Sequence, residues 1–228
     1  MRLGLVKTSL IDYPELVSCV LFYPGCNLRC PYCHNPELAL GMTPEDGVDM
    51  DDIRRFFEKR SSVLDGVVIT GGEPTMHGSL QQLIDLAKQF GLRVKLDTNG
   101  LRPEVLGKLE NIDFIAMDVK TSPSKYAKLL SGDIRLYDDT ETRIVRSIDY
   151  IIASGIRHQF RTTLLQEIVN ETDMNEICAL IKGCREYRLT SFKPGNTLKE
   201  AYSGDISPAY LEEMRIICRE YEIPMVFA

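Results

Sequence analysis

The sequence predicts an α/β domain on a parallel sheet of six strands, and of the two architectures this admits it favours an incomplete β/α barrel over an open doubly wound sheet. Three observations carry the prediction. Six short stretches rich in β-branched and apolar residues recur along the 228 residues, most of them separated by segments of helical periodicity or composition. Strand and helix alternate, which is the pattern of a parallel sheet. Polar residues then share one face of two of the strands. In Val94-Lys95-Leu96-Asp97 the apolar side chains alternate with Lys95 and Asp97, and in 115–120 Ile115, Met117 and Val119 oppose Asp118 and Lys120. A doubly wound sheet covers both faces with helices and favours continuous apolar strands. One polar face suggests a curved sheet whose concave side lines a site. Periodicity alone admits either architecture, and both place ligands at the carboxyl ends of the strands.

Taken in chain order, the first strand is the apolar run 17–23. The helix 50–60 follows, with Asp49 available as its cap. The second strand, 66–70, is a run of Val and Ile, and helix 80–90 comes after it with Ser79 near its start. Alternating strand 93–98 leads to the short helix 103–109, strand 114–120 to helix 141–154, and strand 158–164 to helix 173–187, which Thr172 is placed to cap. The sixth strand is 188–193. All of this is expected to form a single domain over residues 1–228.

Composition narrows the function. An apolar fraction of 44% and a charged fraction of 26% are those of an ordinary globular protein. A formal charge of −6 disfavours a general phosphate-backbone binder, so nucleic acid is not expected as a partner. Lys7 and Asp12 interrupt any apolar stretch at the N-terminus, and no apolar run approaches the ~18 residues of a membrane helix, so no membrane association is expected and the location should be cytoplasmic. Four of the seven cysteines, Cys19, Cys178, Cys184 and Cys218, are scattered and read as buried small apolar residues of a reducing compartment.

The other three cysteines differ. Cys26, Cys30 and Cys33 form C-x3-C-x2-C on one tight loop directly after the first strand, at the carboxyl edge where ligands bind. Soft thiolates select iron-sulfur clusters, zinc or Cu(I), and a closed site usually takes four protein ligands. Only three are offered locally, which leaves one metal corner open. Structural zinc would need His34 as the fourth ligand, yet zinc motifs generally separate ligands by two or more residues. His34 therefore reads as a hydrogen-bonding loop residue. Gly25, Asn27, Arg29 and Pro31 make a poor core segment, against coincidental packing. His77 and His158 read as ordinary packing or surface residues.

C-x3-C-x2-C with the aromatic Tyr32 before its last cysteine resembles the signature of the radical S-adenosylmethionine (radical SAM) superfamily, whose fold is a partial (β/α)6 TIM-like barrel. The resemblance implies a 4Fe-4S cluster on Cys26, Cys30 and Cys33, with S-adenosylmethionine chelated at the open iron and cleaved to a 5′-deoxyadenosyl radical. Gly71-Gly72-Glu73-Pro74, alone a simple turn, then resembles the element that binds the methionine amino group. Asp97-Thr98-Asn99-Gly100, otherwise a turn with left-handed positions, and Asp118-Val119-Lys120, otherwise a solvated charge pair, resemble segments of glycyl-radical activases. By that resemblance Asp97, Thr98 and Asp118 line the methionine end, around a monovalent cation, with Asn99 beside them, and Lys120 neutralises the methionine carboxylate. Arg161-Thr162-Thr163 and 192–196 are explained equally well by the barrel mouth, strand-end packing or a turn. Some activases carry a cofactor-contacting His near the sixth strand, where this chain has Phe192 and Lys193.

The likeness extends over residues 5–120, with a fainter echo through Pro194, and includes 5–14 ahead of the cluster, Cys33-His34-Asn35-Pro36-Glu37 after it, and 64–74. Together these are similar to anaerobic ribonucleoside-triphosphate reductase activating proteins. The resemblance implies a glycyl-radical enzyme as partner and a reduced flavodoxin or ferredoxin-type electron donor. Activation of another glycyl-radical enzyme such as pyruvate formate-lyase, or modification of a small molecule, stays open within the superfamily. Outside it stand an iron-sulfur electron carrier and a zinc-stabilised binding module.

Overall fold

The computed structural model describes residues 1–131, 136–199, 202, 204 and 206–227. The chain forms two compact units, one of residues 1–27, 35–98 and 104–115, the other of 28–34, 99–103 and 116–228.

In the first unit, strands β2 (Ser18–Tyr23), β3 (Gly66–Gly71) and β4 (Arg93–Thr98) pair in parallel and in chain order. The register sets Tyr23 beside Gly71, so β2 and β3 end at one level. Their central residues, Cys19 to Leu21, Val67 to Ile69, and Val94 and Leu96, are buried. α1 (Pro36–Ala39), α2 (Met50–Arg60) and α3 (Leu80–Gln89) follow the strands, with α3 packed on β4 and α2 on α3 through buried faces that include Ile53, Phe57, Leu83, Ile84 and Ala87. The expected cap of α2 forms as a reciprocal capping box: the Asp49 carboxylate accepts the Asp52 N–H at 2.9 Å, and the Asp52 carboxylate accepts the Asp49 N–H at 3.2 Å. Ser79 caps nothing with its side chain; its hydroxyl instead meets the Tyr23 hydroxyl at 3.2 Å.

The second unit carries α5 (Tyr126–Leu130), α6 (Thr140–Ala153), β6 (Arg157–Leu164), α7 (Glu171–Leu180), β7 (Tyr187–Ser191), α8 (Pro208–Glu220) and β8 (Met225–Phe227). β6, β7 and β8 are parallel neighbours. α4 (Pro103–Leu106) and β5 (Phe114–Asp118) contain two of the five points where the chain passes from one unit to the other.

Several elements depart from the sequence reading, each for a local reason. β1 (Gly4–Ser9) is additional to the six expected strands; it pairs antiparallel with β2, and half of its residues are exposed, so no apolar alternation marks it. α8 and the three-residue β8 are likewise additional. Their signals are a Ser207 cap that accepts the Tyr210 N–H at 3.1 Å, and Pro208 at the first helical position. The helix expected over 173–187 ends at Leu180, because Gly183 takes a left-handed φ of +90° soon after it. Its cap is Asn170 rather than Thr172, which lies inside the helix. Cys19, Cys178, Cys184 and Cys218 are buried, as their scatter suggests.

Candidate active site

The loop after β2 begins in the first unit with Gly25, at a left-handed φ of +86°, and half-buried Cys26. Backbone hydrogen bonds stitch it to the turn after β3: the Gly72 N–H donates to the Tyr23 carbonyl at 2.7 Å and the Glu73 N–H to the Gly25 carbonyl at 2.8 Å. This approach requires both glycines. A Cβ on Gly72 would lie 2.5 Å from the Gly25 carbonyl carbon and 3.2 Å from the Cys26 nitrogen, and closer still to the Gly25 oxygen. Gly71, at φ +118°, would bring a Cβ against the Tyr23 backbone. The Gly25 N–H is itself held by the Leu38 carbonyl at 2.6 Å, so the start of the loop is fixed from two sides.

Glu73 is buried, at 1% exposure. Its carboxylate accepts hydrogen bonds from the Thr75 N–H at 3.1 Å, the Thr75 hydroxyl at 2.6 Å and the Thr98 hydroxyl at 2.8 Å. Two motifs separate in the sequence, Gly71-Gly72-Glu73-Pro74 and Asp97-Thr98-Asn99-Gly100, are thus joined by one hydrogen bond at the carboxyl ends of β3 and β4. Pro74 opens the short 3-10 turn Pro74–Met76, which puts the Thr75 N–H within reach of Glu73. On the polar face of β4, the buried Lys95 pairs with Asp97 and lies 5.9 Å from the centre of the Phe114 ring. His77 stacks on Tyr23 with ring centres 4.6 Å apart, and burial pulls its pKa down, so it packs as an uncharged ring.

In the second unit Cys30 is buried and Cys33 half-buried, and the Cys33 N–H donates to the Cys30 carbonyl at 3.0 Å. Tyr32 between them is buried, and its hydroxyl has no hydrogen-bond partner among the described residues. Burial pushes that hydroxyl well above the usual tyrosine range, so it remains a neutral phenol. Asn99 is buried and uses its side-chain oxygen to accept the Leu101 N–H at 3.0 Å, while the Gly100 carbonyl accepts the Ser147 hydroxyl at 2.6 Å.

The polar face of β5 ends in a charge cluster. The Asp118 carboxylate accepts from Arg161 Nε at 2.7 Å and from Lys120 Nζ at 3.2 Å. Burial works to raise the Asp118 pKa, but the two cations outweigh it and the carboxyl sits well below the usual range. For Lys120 burial works downward, and the Asp118 charge more than offsets it. The Lys120 N–H donates to the Tyr126 hydroxyl at 2.9 Å. Sequence reasoning assigns neither Arg161 nor Tyr126 to this role. Arg161 carries a signal in its place near the end of an alternating strand; Tyr126, in a short helix six residues beyond Lys120, carries none.

His34 makes the loop contacts expected of it. Its Nε2 lies 2.7 Å from the Lys193 carbonyl, and its ring stacks on Phe192 with centres 5.3 Å apart. His158 is buried, bonded to the Ile156 carbonyl at 2.9 Å and to the Arg185 N–H at 3.2 Å. Among the described residues no group of three or more His, Cys, Asp or Glu side chains is gathered to hold a metal ion. Cysteine thiolates are the ligands that hold iron-sulfur clusters. The donor set fits such a cluster: three soft thiols on one loop, with a buried phenol beside the last of them whose hydroxyl has no hydrogen-bond partner among the described residues.

The chain matches the model of the radical SAM superfamily over residues 20–181. It is 34% identical over 231 aligned residues to the "Putative glycyl-radical enzyme activating enzyme" of Methanocaldococcus jannaschii, covering 96% of this chain and 91% of that one. Identity to the pyruvate formate-lyase-activating enzyme of Clostridium pasteurianum is 27%, over 83% of this chain and 79% of that enzyme. Among solved structures, Streptococcus suis SuiB bound to S-adenosylmethionine superposes with a TM-score of 0.62 at 16% identity, covering 92% of this chain and 51% of that one. Native anSMEcpe with bound AdoMet gives 0.62 at 15% identity, over 90% and 60%. The chain spans only about half the length of the SuiB structures it matches. The likeness establishes the fold as α/β, the partial (β/α)6 TIM-like barrel shared by these enzymes. The family's cofactors are a 4Fe-4S cluster and S-adenosylmethionine. No helix among the described residues is long and apolar enough to cross a membrane. By the match to the family model and the likeness to the methanogen protein, this chain belongs to the radical SAM superfamily and, within it, to the glycyl-radical enzyme activating enzymes.

Proposed function

We propose that the chain, acting as one radical SAM domain over residues 1–228, places a radical on a glycine of an anaerobic ribonucleoside-triphosphate reductase. When bound, the cluster supplies one electron to the sulfonium of S-adenosylmethionine, releasing methionine and a 5′-deoxyadenosyl radical that takes a hydrogen atom from the partner's glycine. Cys26, Cys30 and Cys33 supply the thiolates. Gly71, Gly72 and Pro74 shape a turn that lets the methionine amino group reach the Glu73 carboxylate, and Tyr32 offers its unpartnered hydroxyl to the cofactor. Asp97, Thr98, Asn99 and Asp118 serve the methionine end together with a monovalent cation, and Lys120 serves its carboxylate.

The observation that carries the reading is Glu73: a carboxylate at 1% exposure, aligned by two threonine hydroxyls, suits an ammonium partner. The partner itself rests on the likeness of residues 5–120 to reductase activating proteins. A second reading, activation of a pyruvate formate-lyase, is favoured by the relative from Clostridium pasteurianum. A reduced flavodoxin or ferredoxin-type protein is the electron donor, and the cytoplasm the location. Anaerobic mixing of the reconstituted, reduced chain and S-adenosylmethionine with each candidate partner tests this by paramagnetic resonance. A glycine-centred signal on the reductase alone supports the proposal. A signal on the lyase alone transfers it to the second reading, and 5′-deoxyadenosine formed with neither signal points to a small-molecule substrate.

A further inference from the structure

The half of the cysteine loop that lies in the second unit, residues 28–34, is braced by that unit's own chain. The Arg29 N–H donates to the Leu130 carbonyl at 2.7 Å, and the Pro31 carbonyl accepts the Lys199 N–H at 2.9 Å. His34 Nε2 meets the Lys193 carbonyl at 2.7 Å, with its ring nearly parallel to that of Phe192, at 17°. A carbonyl only accepts, so Nε2 must carry the proton; the neutral ring is therefore the Nε2–H tautomer. Phe192 is buried and takes the Tyr202 ring edge-on at 6.3 Å. Lys193 and Lys199 are the two ends of one segment, and Pro194, Gly195 and Asn196 between them are exposed. The segment after β7 is thus a strap pinned to the loop at both ends, and the pin beside Cys33 is a histidine side chain.

We infer that His34 is a positioning residue for the cluster: by holding the strap at the Lys193 carbonyl and the Phe192 ring, it fixes the backbone that presents the Cys33 thiolate. The inference rests on the reading that the three cysteines hold a cluster. It adds a residue that touches no cofactor but limits how far one ligand can drift. Exposed on its outer side yet committed on the other, His34 has a function that a loop residue needing only solvent would not require. Groups that orient metal ligands from behind are worth about 10- to 100-fold in metal retention when lost, and hydrogen bonding and solvent access near the sulfurs also set a cluster's potential.

The test compares the full chain with His34→Ala, His34→Gln and Phe192→Leu after anaerobic reconstitution with iron and sulfide. Iron release to a chelator, the midpoint potential of the reduced signal and thermal unfolding of each apo-protein are measured. In His34→Ala iron release should rise about tenfold or more and the potential should shift, while the apo-protein unfolds close to the parent. His34→Gln, whose amide N–H can reach the same carbonyl, should recover most of the loss, and Phe192→Leu should fall between. Parent-like iron release and potential in His34→Ala would overturn the inference while leaving the cluster reading intact. Loss in both His34 variants with a matching fall in apo-protein stability would reduce His34 to a folding residue and overturn it as well. A parent chain that takes up no iron would remove the cluster reading, and the inference with it.

Discussion

Gly72→Ala tests the seat of the cysteine loop more sharply than any charge change, because it adds one methyl group and alters no chemistry. Gly72 is not in the left-handed region, so the penalty is steric alone. The new Cβ would stand 2.5 Å from the Gly25 carbonyl carbon, about 1 Å inside the ~3.5 Å at which carbon atoms pack. The obstacle is backbone, which a rotamer change cannot clear, so the two segments must part by roughly that 1 Å. Two hydrogen bonds lie across the seam, Gly72 to Tyr23 at 2.7 Å and Glu73 to Gly25 at 2.8 Å. Each contributes about 0.5–1.5 kcal/mol net, so losing both costs about 1–3 kcal/mol. For a chain of 228 residues that lowers the unfolding midpoint by about 2–12 °C. The same displacement carries Cys26 and Glu73 apart, and misplacement of about 1 Å can cost a hundredfold in rate. Calorimetry of the apo-protein, iron and sulfide content after reconstitution, and the rate of 5′-deoxyadenosine formation read these three effects. Gly78→Ala is the control, since a Cβ there meets nothing within 4 Å. A Gly72→Ala protein that melts, loads iron and cleaves S-adenosylmethionine as Gly78→Ala does would refute the seam as a constraint.

Other contacts set three further outcomes. Thr98→Val deletes the 2.8 Å hydrogen bond to the buried Glu73 carboxylate and should cost about 1.5–3 kcal/mol in denaturant unfolding, with weaker S-adenosylmethionine binding. Lys120→Ala should weaken S-adenosylmethionine binding by about 10- to 100-fold in equilibrium dialysis while leaving iron and sulfide content unchanged; unchanged binding would remove Lys120 from the site. Asp173 contributes to the acid sensitivity of the second unit. Burial works to raise its pKa, but the Asn170 N–H at 2.9 Å, Lys125 and Ser122 at 2.7 Å hold the carboxyl below its ordinary value. A lowered folded pKa means that the unfolded chain binds the proton more readily. Its stabilisation is therefore complete above the usual carboxylate range near pH 4 and is lost as pH falls toward the folded value. Asp173→Asn should melt lower at pH 7 and show a shallower decline between about pH 5 and 3 in thermal scans; a parallel decline would exclude Asp173.

Whatever depends on local repetition is legible in the sequence. Val67 to Ile69 and the alternation of 93–98 announce strands, and the helices between them announce that they pair in parallel. The polar faces of β4 and β5 are visible in the same way, and they hold ion pairs, Lys95 with Asp97 and Lys120 with Asp118. β1 escapes because an exposed edge strand needs no apolar period. The helix expected over 173–187 overruns α7 because Gly183 acts through its backbone angle, which a count of apolar residues does not register.

The site is legible in its residues and illegible in its wiring, for a physical reason. Cysteine spacing and a Gly-Gly pair are properties of consecutive residues, so they survive on a line of text. The bond from Thr98 to Glu73 joins residues 25 apart, that from Arg161 to Asp118 residues 43 apart, and that from His34 to Lys193 residues 159 apart. The first of these joins the ends of the parallel neighbours β3 and β4. Polar side chains there have little water and must find one another. In this chain the consecutive motif carries the family likeness, and hydrogen bonds between residues far apart in sequence fix the other polar side chains. On the proposed function, substitutions at Thr98 and His34 should accordingly change S-adenosylmethionine binding and iron retention, read by equilibrium dialysis and by iron release to a chelator, although neither is proposed as a cluster ligand.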